Sequence, residues 1–284
     1  MKKPPIDTIV WDLDNVPWDW VYFAAKAYPA MRIILMKYTD ANRDKVTECM
    51  QNYYGGAKTP ESSWLVQGLE KQGLFKGTEA ERERLINAVQ RTYHSCRQKY
   101  LHLFEGFPEL FEKALENGVS NVIHTDSPAR HATSRIKFFK LDRGLFRQMI
   151  AMPDSLPEEV PDKYRKSYDG GRYGLSFPVY LADCEKPNTD LVTPLEMTEE
   201  EIGKRVAFVD DNYGKGMGSA ARFGALGIHA RWGKASQANL DIIAEFSGPK
   251  IANRNSEQVA EVQSFPNIIP ANHPRDIARI LGWH

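Results

Sequence analysis

Six side chains in this sequence could do chemistry together if the fold gathered them: Asp12, Asp14, Thr125, Lys186, Asp210 and Asp211. Asp12 and Asp14 lie two apart, so on a persisting strand they project from the same side. Two carboxylates on one side repel unless a cation or a shared proton holds them, and Asp210-Asp211 poses the same problem. Four carboxylates at one sheet edge call for a divalent, oxygen-loving ion, and Mg²⁺ is the natural choice. The Lys186 ammonium and the Thr125 hydroxyl would then be donors for an anion near that metal. Each signal is weak alone. An isolated Asp-x-Asp is usually a solvated turn, an Asp-Asp after a strand is commonly a cap, and a lone Thr at a strand end is nearly always structural. Their order and setting carry the weight, because apolar strands precede the first acidic pair, Thr125 and the second acidic pair.

Those side chains need elements to position them. Ile6 to Trp11 is a short apolar run rich in β-branched residues and reads as a buried strand ending at Asp12. Val119 to His124 is a second strand, ending at Thr125, and a third is expected near Leu145–Met152. Arg205 to Val209 is a strand closed by Asp210-Asp211, and Ile228 to Ala230 is another. Helices are expected over Pro108–Glu116, through Ile136 and Phe139, over Gly218–Leu226 and over Pro274–Leu281. Strands alternating with helices mean an α/β domain with a Rossmann-like parallel sheet, whose reactive groups gather at the carboxyl ends of the strands.

From Trp18 to about Glu105 the pattern is helical instead. A capping box, Thr78-x-x-Glu81, opens the clearest helix, whose apolar stripe is Leu85, Val89, Tyr93, Cys96, Tyr100 and Leu103. Pro29 is expected to kink or split the helix before it. The chain therefore divides into a discontinuous core, 1–17 and 106–284, and a helical block, 18–105. An irregular excursion at 152–180, with four prolines and Gly170-Gly171, interrupts the core. The cluster Trp11, Trp18, Trp20, Tyr22 and Phe23 is expected to serve the core and the hinge to the helical block. Arg130 and His131 could reach a substrate.

Thr8-Ile-Val-Trp-Asp12-Leu-Asp14-Asn-Val16 resembles the first motif of the haloacid dehalogenase (HAD) superfamily. Val119–Thr125 resembles its second, Lys186-Pro187 its third, and Val206-Ala-Phe-Val-Asp210-Asp211 its fourth. The resemblance implies a hydrolase of the phosphatase type, with Asp12 as nucleophile and Asp14 as general acid and base. Thr125 and the Asp126 backbone amide would bind phosphoryl oxygens, and Lys186 would neutralise charge. Asp12, the Asp14 carbonyl, Asp210 and Asp211 would hold Mg²⁺. Dehalogenase members lack an acid at the position of Asp14, so its presence favours phosphate chemistry. The block at 18–105 sits where the family inserts a helical cap that chooses the substrate. Asp126 departs from the pattern: an extra carboxylate beside a phosphate pocket is unhelpful unless it points away.

Composition narrows the rest. The chain has 284 residues, with Lys plus Arg and Asp plus Glu at 37 each, so no basic excess marks a nucleic-acid or anionic-membrane partner. No apolar stretch approaches the length of a membrane span, no secretory leader is evident, and three scattered cysteines argue against a disulfide framework. The expectation is a cytoplasmic, Mg²⁺-dependent phosphomonoesterase acting on a small phosphorylated metabolite through an aspartyl phosphate. A phosphomutase of the same superfamily and a non-enzymatic phosphate-sensing protein are the alternatives.

Overall fold

The structure, a computed structural model, describes residues 6–57, 64–154, 173–187, 190–247 and 262–283. Most of the 152–180 excursion, and Asn188-Thr189 after the third motif, lie outside them. The described chain forms two compact units.

The first unit, built from Met1–Trp18, Leu103–Lys234 and Asn255–His284, contains one seven-stranded sheet, and every pairing in it is parallel. Its strands are β1 (Thr8–Trp11), β2 (Ser120–Pro128), β3 (Gln148–Met152), β4 (Val179–Leu181), β5 (Val206–Asp210), β6 (Leu226–Ala230) and β7 (Ile268–Ala271), in the order β4-β3-β2-β1-β5-β6-β7. All four residues of β1 are buried, as a central parallel strand covered on both faces requires. Val10 joins an apolar cluster with Val122, Ile150, Phe208 and Met217. Trp11, on the opposite side of the pleat, meets Phe111 edge-on at 5.1 Å. Trp11 Nε1 donates to Asn121 Oδ1 at 2.9 Å, and the Asn121 amide donates in turn to the carbonyls of Phe111 and Leu145, so this buried polar pair is satisfied. β4 and β7, the two edge strands, are additions to the expected set.

Helices α5 (Glu109–Glu116), α6 (Ala129–Phe138), α7 (Val192–Leu195), α8 (Glu199–Arg205), α9 (Gly216–Phe223) and α11 (Arg275–Leu281) belong to the same unit. α9 begins two residues before the expected Gly218 and stops at Phe223, where Gly224 takes up a left-handed conformation that ends the helix.

The second unit, Asp19–His102 with Ala235–Arg254, is helical. It holds α1 (Trp20–Thr39), α2 (Arg43–Ala57), α3 (Leu65–Lys71), α4 (Glu79–Tyr100) and α10 (Gln237–Ser247). α1 runs unbroken through Pro29 for 20 residues, so the proline does not split it. The capping box at Thr78 and Glu81 is present in both directions, and Leu85, Ala88 and Val89 of α4 are buried. By chain order, α10 was expected to stay with the sheet. It is instead part of the helical unit, because its side chains find their partners there. Glu245 pairs with Arg32 of α1 at 2.5 Å and with Arg43 of α2 at 3.0 Å. Phe246 lies edge-on to Tyr28 and under the Arg32 guanidinium. No helix among the described residues is long and apolar enough to cross a membrane.

Candidate active site

The strand ends of β1, β2 and β5 are neighbours, since β1 pairs with β2 on one side and β5 on the other. Asp12 is the first residue beyond β1, and its backbone N–H donates to the Val209 carbonyl, continuing the ladder for one more step. Asp210 is the last residue of β5. Carboxylate oxygens of Asp12, Asp210 and Asp211 lie within 4.8 Å of one another. Lys186 Nζ stands among them, 2.8 Å from Asp12 Oδ1 and 2.6 Å from Asp210 Oδ2.

Burial dominates the electrostatics. It pushes the Asp12 carboxyl up to about 7, against the pull of Lys186 and with the help of the Asp210 and Asp14 charges. Asp211 is raised well above the ordinary carboxylate range by burial and then by Asp210 and Asp12. Burial works against the Lys186 charge too, yet Asp12, Asp210 and Asp126 outweigh it and hold the ammonium above its usual value. So many acids around one ammonium are electrostatically incomplete.

Asp14 lies beyond Asp12 in a loop that turns at Asn15, a residue in the left-handed region (φ 63°). Trp18 Nε1 donates to Asp14 Oδ1 at 2.9 Å, Ser127 Oγ donates to Oδ2 at 2.5 Å, and Arg135 Nη2 pairs with Oδ2 at 3.2 Å. The loop is supported from below by the 3-10 turn Arg231–Gly233. Trp232 Nε1 donates to the Val16 carbonyl, and a Cβ on Gly233 would lie 1.7 Å from the Asn15 carbonyl oxygen, so only glycine fits there. Gly216, at the start of α9, is similarly required: a Cβ would lie 2.3 Å from Asp210 Oδ2.

Thr125 lies two residues past Ile123, the partner of Trp11 in the ladder, and its Oγ1 accepts the Ser127 N–H, leaving its hydroxyl hydrogen to donate elsewhere. The adjacent Asp126 has both carboxylate oxygens engaged. Its Oδ1 accepts the Lys186 backbone N–H at 3.0 Å and its Oδ2 pairs with Lys215, which also meets Glu185 at 2.8 Å. Burial alone would raise the Asp126 carboxyl; the Lys186 and Lys215 charges overcome that and hold it low.

Asp12, Lys186, Asp210 and Asp211 thus form one cluster, with Asp14 held beside it and Asp126 bracing the Lys186 loop. Ser127, Arg135, Lys215 and the indole N–H of Trp18 are additions that sequence spacing did not single out. Only Ser127 and Lys215 had a signal, as polar residues shortly after the second and fourth motifs. His229, opposite Asp210 in the β5–β6 register, points Nε2 at the Asp211 carbonyl at 3.1 Å. Arg130 gives its backbone N–H to Asp154 at 3.0 Å.

The donor set fits a hard divalent cation: three clustered carboxylates offer only oxygen, and two of them are driven toward the protonated form even with the Lys186 ammonium beside them. Asp12, Asp14, Asp126, Asp210 and Asp211 are in ion-pair or cluster contact, among the described residues, with the three cations Lys186, Lys215 and Arg135. With Glu185 on Lys215 as a sixth acid, the group carries more acids than cations.

No family model and no curated protein sequence matches the chain. Solved structures do. A 2-haloacid dehalogenase from Pseudomonas syringae pv. tomato DC3000 matches with a TM-score of 0.55 at 14% identity, covering 98% of each chain. A HAD phosphatase from Thermococcus onnurineus matches at 0.53 and 12%, again over 98% of each chain. A protein from Thermotoga maritima, provisionally described as a beta-phosphoglucomutase, matches at 0.53 and 14%, over 98% of this chain and 99% of that one.

Proposed function

Starting from the fold this chain has, that of the HAD superfamily, we propose that it is a Mg²⁺-dependent phosphomonoesterase that acts on a small phosphorylated metabolite through an aspartyl phosphate. The fold is shared by dehalogenase and phosphatase structures alike, so it does not choose the chemistry. The observation that carries the proposal is the second carboxylate: Asp14 stands beside Asp12, held by three donors of its own. Displacing a halide needs no proton donor, whereas expelling an alkoxide does.

Asp12 attacks phosphorus, and the bond from phosphorus to the ester oxygen breaks. Asp14, in its acid form, gives its proton to the departing oxygen. Asp14, now a carboxylate, takes a proton from water as that water attacks the aspartyl phosphate, which releases inorganic phosphate and restores Asp12. Lys186 neutralises charge on Asp12 and the phosphoryl group, while Thr125 and the Asp126 amide bind phosphoryl oxygens. Asp12, Asp210, Asp211 and the Asp14 carbonyl would hold Mg²⁺, which would supply charge stabilisation at the phosphoryl group. The helical unit, whose larger segment enters the chain at Asp19 after the first acidic pair, is assigned the choice of substrate.

The test is hydrolysis of a panel of phosphorylated metabolites and an aryl phosphate by the full chain, with and without Mg²⁺. Activity lost to chelator and regained with Mg²⁺ supports the proposal. Equal metal-free activity, or full activity in Asp12→Asn, overturns it.

A further inference from the structure

Asp14 belongs to a connected group whose last member is a buried arginine. Arg135 projects from α6, the helix that follows β2, and its side chain is 3% exposed. Its Nη2 reaches Asp14 Oδ2 at 3.2 Å and also donates to Ser127 Oγ at 2.7 Å, while Ser127 Oγ donates to that same Asp14 oxygen at 2.5 Å. The guanidinium lies 5.9 Å from the centre of the Trp18 ring, the indole that holds the other Asp14 oxygen. Trp18 is stacked on Phe139 at 5.3 Å, which fixes the indole.

An Asp side chain has two rotatable bonds, and this one neighbours other acids, whose repulsion would turn it outward. One nitrogen of the guanidinium, Nη2, carries both contacts, and its two N–H bonds lie at a fixed angle in the rigid guanidinium plane. We propose that Arg135 is a positioning residue for leaving-group departure: it locks Ser127 and Asp14 Oδ2 together and so sets the direction in which the Asp14 carboxyl faces the ester oxygen. This rests on Asp14 being the general acid. Arg135 acts through the Asp14 carboxyl and Ser127. Its effect is confined to the step in which the phosphorus–oxygen bond breaks and the Asp14 proton passes to the leaving oxygen.

The experiment measures kcat and KM on a series from good aryl to poor alkyl leaving groups, using the full chain with Mg²⁺. The variants are Arg135→Gln, Arg135→Lys, Ser127→Ala and Asp14→Asn. Arg135→Gln should widen the aryl-to-alkyl ratio of kcat by roughly 10²-fold, the cost of a misplaced reacting group, with KM little changed. Ser127→Ala should widen it in the same direction, and it carries the test if Arg135→Gln does not fold. Arg135→Lys should recover part of the loss. A uniform fall across all leaving groups in both Arg135→Gln and Ser127→Ala, with Asp14→Asn still selective, makes Arg135 a structural residue and overturns the inference. A wild-type ratio in Asp14→Asn removes the general acid itself, and the inference with it.

Discussion

Lys186 Nζ lies 2.8 Å from Asp12 Oδ1, and the two side chains are 3% and 12% exposed. A contact this dry makes the lysine a structural counter-charge as well as a proposed catalytic one. Lys186→Met should therefore cost roughly 10²–10³-fold in turnover, as loss of a charge-stabilising donor does. It should also destabilise the chelated protein by about 3–5 kcal/mol, because buried Asp12 and Asp210 lose their partner. Thermal melts in chelator and in Mg²⁺ check this; a variant that melts above wild type without metal would contradict it.

Asp211 is expected to lower the stability of the metal-free protein near neutral pH. Its folded-state carboxyl titrates well above the ordinary value, so the native state holds a proton that the unfolded chain has released. Stability from this group is then present at low pH and lost as pH rises through the raised value. Asp12, pushed to about 7, acts in the same sense. Buried His124, lowered to about 3 by burial first and Lys186 second, acts in the opposite sense below the usual imidazole value. Comparison with Asp211→Asn isolates the acid. In chelator that variant should melt above wild type at pH 7.5, and the gap should close toward pH 5.

Mg²⁺ binding should release protons, since ligands must be deprotonated to bind a cation. Apparent Mg²⁺ affinity is expected to rise between pH 5 and 8. Calorimetry in buffers of different ionisation enthalpy reads the protons released per ion, and a pH-independent affinity would count against a site built on Asp12 and Asp211.

Gly233→Ala should impair catalysis at a distance. A Cβ there would run into the Asn15 carbonyl oxygen, backbone that cannot rotate aside. The loop carrying Asp14 must shift, at about 1–3 kcal/mol, the usual cost of overpacking. Melting temperature and kcat should both fall; unchanged values for both would show that the turn does not support the loop.

Deleting 19–102 alone should yield an aggregating protein, whereas deleting both 19–102 and 235–254 should yield a soluble one. The single deletion leaves α10 with Ile243 and Phe246, buried in the intact protein, stripped of Tyr28 and Arg32. Light scattering of the two products distinguishes them.

The central strands were legible because each is a run of apolar, often β-branched residues that leads up to an acid or Thr125, although β2 runs on past Thr125 to Pro128. The edges were not. β4 is three residues long with Tyr180 and Leu181 exposed, and β7 contains Pro270, which an edge tolerates but which reads as a breaker. Within the site, Asp12, Lys186, Asp210 and Asp211 announced themselves through the strands and motifs that carry them. Arg135 could not, because nothing in the spacing of a surface-like sequence such as Ser134-Arg135-Ile136-Lys137 shows that one cation turns inward to an acid over a hundred residues away. Trp18 was expected to be core, and it is fully buried, but its N–H also serves Asp14. The place of α10 escaped for a third reason: chain order suggested the sheet, and long-range pairing with Arg32 decided otherwise.

The two-segment make-up of the helical unit has a consequence for synthesis. On the ribosome, α1 to α4 emerge long before α10, and N-terminal domains ordinarily fold as they appear. Here Arg32 has no Glu245 to meet, and Tyr28 no Phe246, until β5 and β6 have also been translated. The first-made helices therefore wait in an unfinished state while nearly the whole sheet is produced. Nascent chains stalled before Gln237 should remain open to protease across 19–102, and chains stalled well past Ser247 should resist it.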